Sequence, residues 1–329
     1  MTIKEIAKLA KVSVATVSRV INNDSRVSPA TRRTVLAVIE ETGYTSNQNA
    51  RNLSTSKSNM VLVLIPTILN PFYSKILSGI EDEASKQGYQ VLVGVTNIDP
   101  KREEKFFRML KAKQVDGIIS FITKTGSKDI EKLASVYPYV ECCEFSGANN
   151  VTYTMIDNEN ASKSAVEHFI RKGHTKIGLI SGNYYRCSEI ARTIGYRSAL
   201  EEANIEFDET KIVVSNYTYE KAYEVTGELI ERHPDVTAIL CVSDSNAIGC
   251  INKLKDIGKE VGKDIEVIGF DNDSITEFFE PTISTVAQPR YELGVQAMKL
   301  IVERIEDVST ISKKTILPFE IILRDSSPN

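Results

Sequence analysis

The chain has 329 residues, a formal net charge of −4, and 26% charged against 42% hydrophobic residues. That length exceeds one ordinary core and suits two or three domains, and the composition excludes disordered and fibrous classes. No run of about 18 apolar residues argues for a membrane span, and the polar start MTIKEIAKLAK lacks the apolar core of a secretion signal, so a cytoplasmic protein is expected.

The charge is unevenly spread. Residues 1–58 hold nine Lys/Arg against four Asp/Glu, a net +5, while the remainder carries −9. A basic head on an acidic body suggests a polyanion partner for the head alone, although clustered surface charge occurs by chance too. In the head, Thr2-Ile3-Lys4-Glu5 has the spacing of a capping box, and Ile6, Leu9 and Ala10 follow at helical intervals. After a short turn at Lys11-Val12, Ser13 caps a second helix. Val17, Val20 and Ile21 point inward from it, leaving Val14, Ala15, Thr16, Ser18 and Arg19 outside. Ser28-Pro29 opens a third helix with Leu36 and Ile39 as its apolar stripe, and Gly43 stops it. Three short helices with a tight turn between the first two form a helix-turn-helix, whose small polar outer face suits a major groove about 12 Å wide. A bundle built for protein contacts has the same pattern; the basic balance favours DNA.

Residues 44–58 (YTSNQNARNLSTSKS) change to a polar, Ser- and Asn-rich linker. Asn47 to Leu53 spans about two helical turns with Ala50 and Leu53 on one side, too short to be helical alone in water but able to fold against a partner. From residue 60, apolar strand-like runs (60–66, 90–95, 116–121, 138–145, 176–181, 237–242, 265–270, 283–287, 319–323) alternate with amphipathic helical stretches (73–88, 101–114, 160–173, 189–204, 219–233, 245–258, 290–306). Such alternation means parallel sheets covered on both faces, and two sets of strands mean two doubly wound α/β lobes with a ligand cleft at the strand ends. Phe72, Tyr73, Phe145 and Tyr217 lie in loops or just after strand-like runs, where flat rings can sandwich a sugar or base. Arg186, Ser188 and Arg192 follow the run 176–181, and Asp271 ends 265–270; an arginine–carboxylate pair hydrogen-bonds a polyhydroxyl ring or a base edge, or else forms a structural ion pair.

The segment TIKEIAKLAKVSVATVSRVIN (residues 2–22) resembles the headpiece of the lac-repressor family of bacterial regulators. The resemblance extends through Asn70-Pro71-Phe72-Tyr73, Val115-Asp116-Gly117, Arg192 before Gly195-Tyr196, Ile268-Gly269-Phe270-Asp271-Asn272 and Ala287-Gln288-Pro289-Arg290. NPFYSKILSGIE, CEF and AQPRYELG look most like the branch that contains the cytidine repressor. The resemblance implies an all-α helix-turn-helix headpiece (1–45), a hinge helix or linker (46–58) and a two-lobed, type I periplasmic-binding-protein-like α/β sensor (59–329). In that sensor lobe 1 is 60–160 with 289–318, and lobe 2 is 161–288 with 319–329. It places Val14, Ala15 and Arg19 at base-reading positions, with Arg19 suited to guanine, and Thr16, Ser18, Asn22 and Ser28 at phosphates; Thr2 and Ser13 complete the DNA-contact set of the headpiece. In the hinge this chain keeps Asn47, Ala50, Arg51 and Leu53, with Leu53 as a minor-groove wedge, while Ser46 replaces the family's proline. The implied effector pocket holds Phe72, Tyr73, Phe145, Arg186, Ser188, Arg192, Tyr217, Ser243, Asp271 and Gln288.

Chemistry beyond binding finds no support. The chain lacks GxxxxGK[ST], GxGxxG, HExxH and GxSxG patterns, and His168 and His174, six apart, do not form a metal pair on one helix face. The five cysteines have no CxxC spacing and read as free thiols. No catalytic residue, metal or cofactor is expected. A transport binding protein would want a secretion signal and no basic head; a hydrolase would want paired catalytic groups. The expectation is a cytoplasmic, nucleoid-associated repressor, a homodimer on a pseudo-palindromic operator, responding to a nucleoside, purine or sugar, with no membrane partner.

Overall fold

The structure is a computed structural model that describes residues 1–21, 23–44, 57–182 and 186–329. It divides into a unit of Met1–Ser58 and a unit of Asn59–Asn329. In the first, α1 (Ile3–Leu9) opens on the capping box: the Glu5 amide donates to Thr2 Oγ1 at 3.4 Å and the Thr2 amide to Glu5 Oε2 at 2.7 Å. Ser13 caps α2 (Val14–Ile21) by accepting from the Thr16 amide at 3.1 Å. Ser28 caps α3 (Pro29–Thr42), and Gly43 ends it in the left-handed region at φ 59°. The core is Ile6, Ala7, Ala10, Val17, Val20 and Val35. Two positions expected inward from spacing point out instead: Leu9 and Leu36 are 55% and 47% exposed, and the interior holds Ala7 beside Ile6 and Ala10, and Val35.

The second unit contains two six-stranded sheets. The first holds β1 (Met60–Ile65), β2 (Gln90–Val95), β3 (Gly117–Ser120), β4 (Tyr139–Cys142), β5 (Thr152–Ile156) and β11 (Lys314–Leu317), in the order β11-β5-β4-β3-β1-β2, all parallel. The second holds β6 (Ile177–Ser181), β7 (Ile212–Val214), β8 (Ala238–Cys241), β9 (Glu266–Asp271), β10 (Ser284–Ala287) and β12 (Glu320–Ile322), in the order β12-β10-β9-β8-β6-β7, with only β12 antiparallel. Helices α4 (Phe72–Gln87), α5 (Pro100–Lys111), α6 (Ser127–Val136) and α11 (Arg290–Glu306) belong to the first lobe; α7 (Asn158–Arg171), α8 (Cys187–Glu202), α9 (Tyr219–Arg232) and α10 (Asp244–Asp256) belong to the second. The chain changes sheet between Ile156 and Asn158, between Ala287 and Arg290, and between Leu317 and Glu320.

Three strands and one helix escape the periodicity reading. β5 reads TYTMI, β7 is three residues long, and β11 alternates exposed with half-buried positions, so none makes the apolar run of a central strand. α6 is a short surface helix after a glycine. The apparent strand 138–145 is shorter than its apolar run: β4 ends at Cys142, and Cys143 turns the chain away with φ 67°. Because strands in both lobes run toward the other lobe, their carboxyl ends and following loops face one interlobe cleft.

Candidate functional site

Two surfaces gather the candidate residues. On the headpiece, Val14, Ala15 and Arg19 are exposed along α2, while Val17 and Val20 anchor its other side. Thr16 and Ser18 are half-buried beside them. Thr2, Ser13 and Ser28 all serve as helix caps, and the Ser13 hydroxyl also meets Thr16 Oγ1 at 2.8 Å. Asn22, Asn47, Ala50, Arg51 and Leu53 lie outside the described residues.

In the sensor, a cavity of about 40 Å³ between the lobes is lined by Phe72, Tyr73, Arg186, Ser188, Arg192, Tyr217, Asp271 and Gln288, eight of the ten residues named from sequence. Phe72 and Tyr73 come from the first turn of α4, where Asn70 Oδ1 accepts the Phe72 amide at 2.9 Å and fixes the turn. The two rings meet edge to face at 5.3 Å. Arg192 projects from α8 at 6% exposure. Its Nε donates to Asn158 Oδ1 at 2.9 Å, its Nη1 to the Val242 carbonyl at 2.6 Å, and its guanidinium lies 3.6 Å from the Phe270 ring centroid. The reason α8 reaches this far is Gly195: a Cβ there would stand 2.0 Å from the Glu159 carbonyl, so only glycine lets α8 cross α7 closely enough. Arg186 lies 4.7 Å from the Tyr217 ring centroid and 3.4 Å from Glu189 Oε1, which also accepts from the Tyr217 hydroxyl.

Asp271 sits at the end of β9 with φ 112°, a left-handed backbone that a side chain rarely adopts; Tyr217 and Cys143 at the same cleft both have φ 67°. Such strain persists only where surrounding structure holds it and clusters at functional sites. Gln288 Nε2 donates to Asp271 Oδ1 at 2.7 Å. Burial pushes the Asp271 carboxyl up to about 7, partly offset by the Arg192 charge, and burial does the same to Glu189.

Two positions depart from the sequence reading. Ser243 does not line the cavity: it is buried as the cap of α10, accepting the Asn246 amide at 3.1 Å. Phe145 lines an adjacent cavity and stacks on Tyr153 at 4.7 Å between centroids. Conversely, Asn70, Phe121, Ile122, Cys143 and Glu144 line the main cavity unanticipated. Glu144 matters most. It reaches from the first lobe to the start of α8 in the second, accepting the Ser188 amide at 3.1 Å and the Ser188 hydroxyl. Reading 138–145 as one strand hid it; the left-handed turn at Cys143 makes it a loop residue.

These features coincide with two family descriptions. Residues 2–47 match the model described as bacterial regulatory proteins, lacI family, and residues 58–324 match the periplasmic binding proteins and sugar binding domain of LacI family. The chain belongs to the LacI family. Among curated LacI-family relatives, the regulator DegA of Bacillus subtilis is 36% identical over 99% of this chain and 98% of its own length. The repressor CytR of Escherichia coli is 34% identical (99% and 96%), and the catabolite control protein A of Priestia megaterium 35% (99% of each). Among solved structures, the regulator CelR in complex with cellobiose superposes with a TM-score of 0.77 at 29% identity, covering 99% of this chain and all of that one. The lac repressor dimer bound to operator and an anti-inducer shares the fold, with a TM-score of 0.90 at 23% identity over 100% and 99%. This LacI-family chain is a DNA-binding transcriptional repressor whose operator binding is under small-molecule control. No helix among its described residues is long and apolar enough to cross a membrane.

Proposed function

We propose that this regulator works as a homodimer on a pseudo-palindromic operator in the cytoplasm, at the nucleoid, and that a nucleoside, purine or sugar in the interlobe cavity sets its operator affinity. Val14, Ala15 and Arg19 read base edges, with Arg19 bidentate to guanine. Thr2, Ser13, Thr16, Ser18, Asn22 and Ser28 position the headpiece on phosphates, and Leu53 wedges the minor groove beside Asn47, Ala50 and Arg51. One observation supports the sensing role above others: two charged cavity residues are tied to the crossovers. Arg192 holds Asn158 at the start of the first crossover helix, and Asp271 holds Gln288 on the second. A ligand that hydrogen-bonds Arg192 and Asp271 competes with those ties, so it biases the angle between the lobes. The cavity of about 40 Å³ has room for a few waters but not for a ring, so the lobes must part for entry.

The test combines thermal shift on the full chain with operator binding. A ligand at 100-fold excess over its Kd stabilises the native state by roughly 2.7 kcal/mol. A hit that also moves operator affinity supports the reading, and the direction of that move separates inducer from co-repressor. Operator affinity falls steeply with salt if several phosphates are neutralised. A flat salt response would remove the headpiece assignment.

A further inference from the structure

The turn after α2 closes with two backbone bonds. The Asn23 amide donates to the Val20 carbonyl at 3.1 Å and the Asp24 amide to the Arg19 carbonyl at 2.9 Å, with Asn23 left-handed at φ 56°. That turn seats Asp24 against the last turn of the reading helix, at Arg19. Arg32 of α3 pins it there, donating to the Asp24 carbonyl at 2.6 Å and to Asn23 Oδ1. The Asp24 carboxylate in turn takes the Arg26 guanidinium side-on: Nε donates to Oδ1 at 3.0 Å and Nη2 to Oδ2 at 2.7 Å. We propose that Asp24 is a specificity-determining residue of the DNA interface that acts through Arg26: it aims the end-on edge of that guanidinium at one bidentate acceptor of the operator and cancels its charge toward DNA of any other sequence. The inference rests on the headpiece's DNA-binding role and adds a pair of residues outside the contact set proposed for it.

The placement of the carboxylate is the first support. Of the four acids among residues 1–58, Glu5 closes the α1 cap, Glu40 and Glu41 lie in the last turn of α3, and only Asp24 follows the reading helix. A negative charge there repels phosphates and costs affinity for any DNA. Folding does not call for it. The Arg26 side chain is 78% exposed, and exposed ion pairs contribute little to stability. Asp24 Oδ1 also accepts the Arg26 amide at 2.9 Å, but asparagine supplies the same turn acceptor, so the charge is surplus to the turn. Its effect falls on Arg26. A guanidinium presents a side-on fork and an end-on fork, and Asp24 occupies the first. Nη1 has no partner among the described residues, which leaves the end-on fork for two phosphate oxygens or for guanine O6 and N7. The ties to Asp24 fix the guanidinium plane before DNA arrives, so less freedom is lost on binding. In the chain Arg26 stands between Arg19 and Ser28, both in the operator contact set. Hydrogen bonds from Arg26, with the Arg19 charge adding to them, hold the Asp24 carboxyl below the usual carboxylate range, so the pair stays ionised wherever the protein binds DNA. Non-specific binding is nearly all phosphate electrostatics, so a compensated arginine adds little to it, while an aimed one still adds to a matching site.

The test measures the full chain by fluorescence anisotropy against two duplexes of equal length, each over a salt series: one selected from a random pool by the wild type, and its shuffled sequence. Asp24→Asn keeps the turn acceptor and drops the charge. It should bind the shuffled duplex roughly fivefold more tightly, with a salt slope steeper by about one, and the selected duplex no more tightly than wild type does. Glu41→Gln removes the same charge away from Arg26 and should change both duplexes by one common factor. Arg26→Gln should lose roughly tenfold on the selected duplex, and in its background Asp24→Asn should raise both duplexes equally. A fresh selection by Asp24→Asn identifies the acceptor: relaxation at one guanine marks a base edge, and an unchanged consensus with lower selectivity marks a phosphate. An unchanged ratio between the duplexes in Asp24→Asn overturns the proposal. So does an Asp24→Asn effect that persists in Arg26→Gln, because the carboxylate then acts as a general charge. A lower unfolding midpoint of the headpiece in Asp24→Asn overturns it as well, since the charge would then serve the fold. Salt-independent binding of both duplexes by the wild type would instead sink the headpiece's role on DNA.

Discussion

The reading helix and the interlobe cavity use side chains in opposite ways. On α2, Val14, Ala15 and Arg19 stand exposed, so their identities are free of packing demands. In the cleft, Arg192, Asp271, Ser188 and Gln288 are all under 9% exposed and each is hydrogen-bonded to another part of the sensor. The difference implies that DNA specificity can drift by single substitutions while the scaffold stays intact, whereas a change in the sensing site alters ligand preference, lobe geometry and stability together.

The largest separation should come from Arg192→Leu. It leaves Asn158 Oδ1 and the Val242 carbonyl without their donor and removes the charge that opposes the raised Asp271 carboxyl. A buried acceptor left without its donor costs about 1–3 kcal/mol. Urea unfolding should show a loss of that order, with effector binding down by more than 100-fold. Wild-type stability in this variant would mean the cleft is as separable as the headpiece. Next in size is Arg19→Ala, which removes an exposed side chain. A bidentate contact to guanine is worth about 1–3 kcal/mol, so operator affinity should fall roughly 5- to 150-fold, mainly against sites with that guanine. The unfolding midpoint and ligand affinity should not move; a shift in either would break the contrast from the other side.

A pH series sharpens it further. Asp271, Glu141 and Glu189 are raised by burial from ordinary carboxylate values to about 7, so the folded sensor holds protons that the unfolded chain releases near pH 4. Their contribution to stability is present below about pH 4 and is lost as pH rises through about 7. Glu266, lowered by Lys172 and Ser327, works in the opposite direction. In the headpiece the shifted acids, Glu5 and Asp24, are both lowered, by hydrogen bonds from Thr2 and from Arg26. Between about pH 5.5 and 8 the sensor should therefore lose thermal stability while the headpiece does not, and Asp271→Asn should flatten the sensor's slope. A sensor that grows more stable with rising pH would contradict the buried-carboxyl account.

What was legible in the sequence follows the same division. The headpiece could be read closely because its helices are set by local signals: a capping box, two serine caps, a glycine stop. Even there, spacing puts Leu9 and Leu36 inward, whereas Ala7 and Val35 are the buried ones, since spacing alone does not fix where a helix's buried face ends. In the sensor, central strands such as MVLVLI and EVIGFD announce themselves as apolar runs, while the short or half-exposed β5, β7 and β11 depend on neighbours for their pairing. Eight of the residues that line the cavity belong to the pocket that the family resemblance implies. Glu144 was not, because its role rests on a backbone turn at Cys143 and a partner 44 residues away. Ser243 had the right location at a strand end, but its hydroxyl is spent on capping α10.

The smallest expected effect separates two roles at one atom. Ser13 is assigned to the operator contact set, yet its Oγ already accepts the Thr16 amide and meets Thr16 Oγ1. Ser13→Ala removes both roles: the cap loss costs about 1 kcal/mol, visible as faster hydrogen exchange along α2, and operator affinity falls modestly. Ser13→Asp keeps a cap acceptor and even favours the helix N-terminus, but sets a negative charge toward the phosphates. If the hydroxyl serves DNA as well as the helix, Ser13→Asp should restore α2 protection while binding operator more weakly than Ser13→Ala. Equal operator affinity in the two variants would assign Ser13 to the fold alone, and the phosphate contact would pass to residues whose hydroxyls are not tied to a cap.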